Sequence, residues 1–376
     1  MKKILFVIPS FQTGGTNSSL IALLRAFKQY NITIFSISRC GEFKDRFTNV
    51  PQITEDRLLS LWYGNYSEFT WWNKLIALTV KLFKRFTIKT GIDWEKKILQ
   101  RAANKQKFAG FDIVIGYQEG YATEFAALIP AKKHISWIHC NIKYGFHNYS
   151  RYNQSYNQSN AIVCVSQSGK DAFDEIYPMY AEKSNVIYNL INTSDIKSAS
   201  LKLDPMLQQI APNDFVIVSV GRFDPIKQFD IIPEIASSLK KLIPNFKWFI
   251  IGDGNPDVKQ RIKENIEKYQ VSENVILTGY KLNPYPFFRK ADLYVCTSKS
   301  EACPMVFLEA NSLGTPVVSN DFPSAHELIN NRDFICALDM MPTTIARYLK
   351  NFLPKLVHIP ECISDSYSKL TSILTE

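Results

Sequence analysis

The stretch YVCTSKSEACPMVFLEANSLGTPVVSN, Tyr294 to Asn320, reads as half of a β-α-β unit and its return. An apolar strand over Leu293 to Cys296 runs into a polar loop, and a helix opens near Cys303 or Pro304. Gly314 stops it, and Thr315 to Ser319 forms the next strand. Proline suits a first helical turn, where its missing N–H has no partner to lose. The N–H groups of Met305 and Val306 then point out of the helix end and suit an anion such as a phosphate. Glu301 lies before the helix and Glu309 inside it. Acceptors on either side of an anion site suit a ligand with hydroxyls flanking a phosphate, such as a nucleotide-sugar. The helix macrodipole alone also favours acids in the first turns, so spacing by itself leaves both readings open.

Working outward, a chain of 376 residues is long for one domain and should fold as two or three, each with its own core. With 46% hydrophobic and 21% charged residues it has the composition of a soluble globular protein. Its apolar runs are too short to span a bilayer, and Met1-Lys2-Lys3 leads into a strand without a signal-peptide cleavage site, so the expected location is the cytoplasm. The seven cysteines include no C-x-x-C pair, and Cys164 and Cys296 sit in apolar runs. Buried reduced thiols are expected rather than disulfides or zinc ligands.

The net charge of +9 is concentrated. Between Trp71 and Lys107 there are ten basic residues against Asp93 and Glu95. Nothing resembles a recognition helix, zinc finger or RNP motif, so no nucleic-acid partner is expected. From Trp71 to Phe86, residues Trp72, Leu75, Ile76, Val80, Leu82, Phe83 and Phe86 share a broad helical face opposite a stripe of Lys74, Lys81 and Arg85. Such a helix fits an anionic membrane surface, and equally a sheet cover with a solvated basic back.

The N-terminal half alternates strands and helices. KKILFVIPS leads through Gly14-Gly15 into a helix with Thr or Asn as its cap; NITIFSIS, FDIVIGYQEG, KKHISWIHC and AIVCVS follow, and VIYNLIN closes the half. Loops at the carboxyl ends of parallel strands gather ligands, which favours Glu119 and His139 over other residues of their type. The polar run Thr193 to Asp204 reads as a linker. The pattern then restarts: VIVSV runs into Gly221-Arg222-Phe223-Asp224 with Lys227 close behind, a basic pair able to neutralise a diphosphate. KWFIIGDG, NVILTGY and DLYVCTS are further strands.

Taken together, several segments resemble the retaining GT-B glycosyltransferases of family 4, in their bacterial capsule, exopolysaccharide and lipopolysaccharide forms. They are Gly14-Gly15, QEG at 118–120, WIH at 137–139, VCVS at 163–166, GRFDPIKQFD at 221–230, IGDG at 251–254, LTGY at 277–280, and Glu301 and Glu309 followed by Gly314-Thr315-Pro316-Val317-Val318. The resemblance implies an α/β GT-B fold of two Rossmann-like doubly wound domains facing a cleft. These would be an acceptor-side domain over 1–195, a nucleotide-sugar domain over 196–360, and a C-terminal helix over 361–376 crossing back to the first domain. It further implies that Arg222 and Lys227 bind the donor diphosphate, Glu309 the ribose, and Glu301 the sugar hydroxyls. Met305 and Val306 would cap the phosphate, Gly279 and Tyr280 border the base, His139 lie near the sugar, and Gly14 and Gly15 near the phosphate or acceptor. The donor would be a UDP-linked sugar, the acceptor lipid-linked or a glycan, with no cofactor and no metal, and the location peripheral on the inner face of the plasma membrane. Where the family often has a glycine after the first Glu, this chain has Ala302-Cys303-Pro304, a stiffer loop. A non-catalytic GT-B scaffold and a GT-B sugar-nucleotide epimerase are the alternatives.

Overall fold

The computed structural model describes residues 1–12, 14–47, 50–54, 56–64, 69–87, 92–106, 108–145, 149–330, 334–351 and 360–375. The chain forms two compact units, Met1–Leu190 with Ser366–Glu376, and Ile191–Asp365.

In the first unit the described strands are β1 (Lys3–Ile8), β2 (Asn31–Ser36), β3 (Gln52–Thr54), β4 (Ile113–Gly116), β5 (Lys133–Ile138), β6 (Ala161–Cys164) and β7 (Ser184–Val186). They pair in parallel in the order β3-β2-β1-β4-β5-β6-β7. Apolar runs such as Ile4 to Ile8 are buried throughout, as strands covered on both faces must be. The order reverses between β1 and β4, so this unit's ligand crevice is expected beyond the carboxyl ends of those strands.

The second unit repeats the plan with β8 (Phe215–Val220), β9 (Phe246–Ile251), β10 (Val275–Gly279), β11 (Leu293–Cys296), β12 (Val317–Asn320) and β13 (Ile335–Cys336), in the order β10-β9-β8-β11-β12-β13. Its reversal lies between β8 and β11. In its core the Trp248 indole donates to Ser219 Oγ at 3.0 Å, and that hydroxyl donates to the Val295 carbonyl at 2.6 Å. Three strands thus share one satisfied polar chain among apolar neighbours.

Five helices of the first unit matter below: α1 (Gly15–Ala26), α2 (Arg57–Tyr63), α3 (Trp71–Thr87), α4 (Trp94–Gln106) and α5 (Tyr121–Ala127). Ile98, Leu99, Ala102 and Ala103 of α4 join the sheet core, whereas α3 contributes Ala77 and Val80 inward and leaves Trp71, Trp72, Leu75, Ile76, Leu78, Leu82 and Phe83 exposed. The basic amphipathic helix therefore does not cover the sheet with its broad apolar face.

Three local expectations are corrected. The Thr193–Asp204 run contains a helix, Thr193–Ala199, because the Asn192 side chain caps it by accepting from the Asp195 N–H at 3.2 Å. Helix α1 starts at Gly15 with Gly14 as its cap residue. Asn17 folds back instead, donating to the Ser10 and Gln12 carbonyls at 3.0 and 2.6 Å. The helix after Glu301 begins at Met305, with Pro304 extended at the cap position.

The C-terminal helix, Glu361–Thr375, ends in the first unit. Lys2 Nζ donates to the Leu374 and Thr375 carbonyls at 2.9 and 2.7 Å, and Lys133 Nζ to Ile373 at 2.6 Å. Cations at the carboxyl end of a helix answer its orphan acceptors and its dipole.

Candidate active site

The reversal between β8 and β11 brings two loops together. After β8, Asp224 caps a short turn by accepting from the Ile226 N–H at 3.1 Å, and this turn presents Lys227. After β11 the chain carries Thr297, Ser298 and Glu301. Lys227 Nζ donates to Glu301 Oε1, and Ser298 Oγ donates to the same oxygen at 2.7 Å. Thr297 Oγ1 donates to the Lys227 carbonyl at 2.7 Å, and Ser324 Oγ to the Glu301 carbonyl at 2.8 Å. With Ala302 and Cys303 buried, this loop is firmly held. Burial works against the Lys227 charge, but the neighbouring Glu301 carboxylate outweighs it by Coulomb attraction and hydrogen bonding, so the ammonium titrates above its ordinary value.

Arg222 shares the β8 loop but is not joined to that pair. Its side chain is 70% exposed, with Asp224 at 3.9 Å. An exposed guanidinium at that distance gains little from its neighbour and remains available to an anion.

Beside this pair, the helix Met305–Ser312 starts without a side-chain cap and without an acid in its first turn, so the Met305 and Val306 amides lie at an open helix end. Glu309 is buried one turn further in and accepts from Tyr285 OH at 3.3 Å. At the next strand ends the loops stack closely. Gly252 has φ of +152°, and a Cβ there would lie 1.9 Å from the Gly221 carbonyl oxygen; its N–H donates to the Gly279 carbonyl at 3.0 Å. Only glycine fits at 252, and it holds the β8 loop against the turn that carries Gly279 and the 44% exposed Tyr280.

In the first unit, Glu119 and His139 end up adjacent near the β1/β4 reversal. The His139 backbone N–H donates to Glu119 Oε2 at 2.7 Å. Burial raises the Glu119 carboxyl, only partly opposed by that bond. The His139 ring packs against Tyr117 and Trp137, with centroids at 4.8 and 6.2 Å; its Nε2 is buried without a partner among the described residues, and burial depresses its pKa to about 3. Gly14 is extended, and a Cβ there would meet nothing within 4 Å among the described residues.

Sequence reasoning missed Ser298, Tyr285 and Gln228. The first two orient the glutamates from loop and helix positions that carry no local signal. Gln228, directly after Lys227, holds φ of +51° with a buried Oε1 lacking a partner among the described residues, a strained backbone of the kind that clusters at functional sites.

Known proteins share this layout. The structure of Anabaena HepE in complex with UDP and glucose superposes with a TM-score of 0.74 over 100% of both chains, at 17% identity. The fold is GT-B. Residues 207–355 of the GT-B chain match the family model described as Glycosyl transferases group 1. An uncharacterised glycosyltransferase of Methanocaldococcus jannaschii is 28% identical over 172 residues, covering 45% of this chain and 42% of that protein. The N-acetylgalactosamine-N,N'-diacetylbacillosaminyl-diphospho-undecaprenol 4-alpha-N-acetylgalactosaminyltransferase of Campylobacter jejuni is 26% identical over 180 residues, covering 48% and 46%. Both of these sequence matches span less than half of the relative's own length.

Proposed function

We propose that this chain is a retaining glycosyltransferase of family 4, moving a sugar from a UDP-linked donor to a lipid-linked or polysaccharide acceptor in bacterial surface-glycan synthesis. The observation that carries the reading is the Lys227–Glu301 pair at the β8/β11 reversal, beside the open helix end at Met305 and the buried Glu309. A cation, free amides and two carboxylates in that order match a diphosphate with a sugar on one side and a ribose on the other.

In this reading Lys227 and Arg222 hold the diphosphate, assisted by the Met305 and Val306 amides. Glu309 accepts from the ribose hydroxyls and Glu301 from the sugar, while Gly279 and Tyr280 border the base. The bond between the anomeric carbon and the β-phosphate oxygen breaks, and the electron pair goes to the phosphate. The acceptor hydroxyl forms its bond on the face just vacated, and its proton passes to the departing phosphate oxygen. Preorganised cations and amides stabilise the charge that develops, which leaves no part for a divalent ion. His139, neutral at physiological pH, serves as a hydrogen-bonding partner of the sugar rather than as an acid, and Gly14 and Gly15 let the phosphate or acceptor approach.

The membrane belongs to the same reading. Helix α3 turns its apolar row outward beside Lys74, Lys81 and Arg85, which suits a peripheral enzyme on the anionic inner face of the plasma membrane. Among the described residues no helix is long and apolar enough to cross a membrane.

The test is nucleotide release from a panel of UDP- and GDP-sugars with lipid-linked and glycan acceptors. Release with a UDP-sugar is expected, lowered about a hundredfold or more by Lys227→Ala and by Arg222→Ala. No release above those variants, with no donor binding by calorimetry, would favour the scaffold; a product formed without acceptor would favour the epimerase.

A further inference from the structure

Two donors meet one oxygen of Glu301. Lys227 Nζ and Ser298 Oγ both donate to Oε1, the hydroxyl at 2.7 Å. Oε2 takes no hydrogen bond among the described residues, and the side chain keeps 15% of its surface exposed. The last torsion of a glutamate is soft, so contacts rather than the rotamer decide which oxygen faces which neighbour. One contact lets the carboxylate swing about it, whereas two fix its plane. The two donors differ in what else they can do. The Lys227 ammonium is partly exposed, and among the described residues only Glu301 engages its three N–H groups. An arriving diphosphate therefore competes for it. Ser298 cannot be drawn away. It is buried, its single O–H is given to Oε1, and its Oγ accepts from the Cys296 thiol at 3.4 Å. Its backbone is held without that hydroxyl. The Asn320 side-chain amide donates to the Ser298 carbonyl at 2.9 Å, the Thr297 hydroxyl to the Lys227 carbonyl at 2.7 Å, and the Lys299 N–H to the Ile226 carbonyl at 2.8 Å.

We propose that Ser298 is a positioning residue that sets donor specificity: its hydroxyl keeps Glu301 Oε1 in place while Lys227 turns toward the diphosphate, so that Oε2 is the oxygen presented to a sugar hydroxyl. The inference rests on the reading of Glu301 as the acceptor for the sugar and of Lys227 as a ligand of the diphosphate. A carboxylate fixed in this way takes a hydroxyl at one place. A sugar lacking that hydroxyl leaves Oε2 desolvated and unanswered, the arrangement that rejects a deoxy analogue most strongly. Without the Ser298 O–H, Glu301 follows the ammonium and either oxygen can face the sugar. Nucleotide binding then persists while the hydroxyl at that place counts for less.

The experiment uses the full chain and the UDP-sugar that gives release in the donor panel, with its monodeoxy analogues, on the wild type, Ser298→Ala and Glu301→Ala. Calorimetry with UDP reports on folding and on the nucleotide site, and Ser298→Ala should bind UDP within about threefold of the wild type. Its kcat for the parent sugar should fall about tenfold or more with KM within about threefold, since a hydrogen bond to a charged group is lost from the aligned state. One monodeoxy analogue is expected to lose its penalty in Glu301→Ala. In Ser298→Ala the penalty for that same analogue should shrink by about tenfold or more, while the penalties at the other positions stay. Unchanged discrimination in Ser298→Ala, or an equal loss with the parent sugar and every analogue, overturns the positioning role and leaves the reading of Glu301 standing. UDP binding weakened as much as kcat/KM would show a collapsed loop and overturns it too. If no analogue loses its penalty in Glu301→Ala, or no UDP-sugar gives release, the reading of Glu301 itself fails and the proposal falls with it.

Discussion

His139 carries the largest electrostatic consequence at the residue scale. Burial holds its folded pKa at about 3 against ~6.5 in an unfolded chain. Between those values the unfolded chain binds more protons than the folded one, so stability rises with pH through that window and is complete above ~6.5. Glu119, with a raised pKa, works in the opposite sense, which makes a comparison of variants necessary. From pH 7 to pH 5, the wild type should lose about 2 kcal/mol more stability than His139→Phe, at about 1.4 kcal/mol per pH unit below ~6.5. Urea denaturation at the two pH values reads this directly; parallel losses would mean that the ring is not held neutral. The same scale marks the limit of sequence reading. Strand ends are visible in sequence, so His139, Glu119, Lys227 and Glu301 could be singled out. Their partners depend on which strands are neighbours. Lys227 and Glu301 stand 74 residues apart and meet because β11 lies beside β8, and Tyr285 reaches Glu309 from a separate helix.

Among the elements, α3 was the least determined by its own sequence. Its period made an amphipathic helix legible, but not which face would meet the sheet, because that depends on competition with α4. The smaller Ile98, Leu99, Ala102 and Ala103 of α4 occupy the core, and α3 is left over α2 with its large side chains outward. Exposed Trp71, Trp72, Leu78 and Leu82 form an apolar patch of the kind that marks an interaction surface. Lys84 is paired with Glu95 at 2.8 Å, and Arg151 reaches the same carboxylate at 2.7 Å, so changing it would also disturb this ion-pair network. At low salt, vesicles containing phosphatidylglycerol should pellet the wild-type protein. Changing Lys74, Lys81 and Arg85 to Gln should weaken partitioning by roughly 3 kcal/mol, at ~1 kcal/mol per basic residue. Raising the salt should abolish most of the difference, since screening acts on exposed charges. Unchanged sedimentation of the triple variant would leave the patch without a membrane role.

At the scale of the whole molecule, two α/β halves were legible because strand, loop and helix restart near Asp214, whereas the return of the tail to the first unit was implied only by resemblance. Apolar period alone says that Ile363 to Leu374 is a helix, not where it docks. The structure supplies the docking chemistry: Lys2 and Lys133 on the last carbonyls, the Tyr188 N–H donating to Ser366 Oγ at 2.9 Å, Tyr367 stacked on Phe27 at 5.0 Å, and Leu370 and Leu374 buried. These contacts stabilise the first unit alone. Burial of the two leucines contributes ~1.5–3 kcal/mol each, so removing Ser366–Glu376 should cost the first unit about 3–6 kcal/mol. The second unit, whose core forms around Trp248, Leu239 and Ile345, loses nothing from that deletion. Native-state hydrogen exchange reads both at once. Amides of β1, β4 and β5 should exchange faster in the truncated chain while those of β8, β9 and β11 keep their protection; uniform acceleration in both sheets would show that the tail stabilises more than the unit it belongs to.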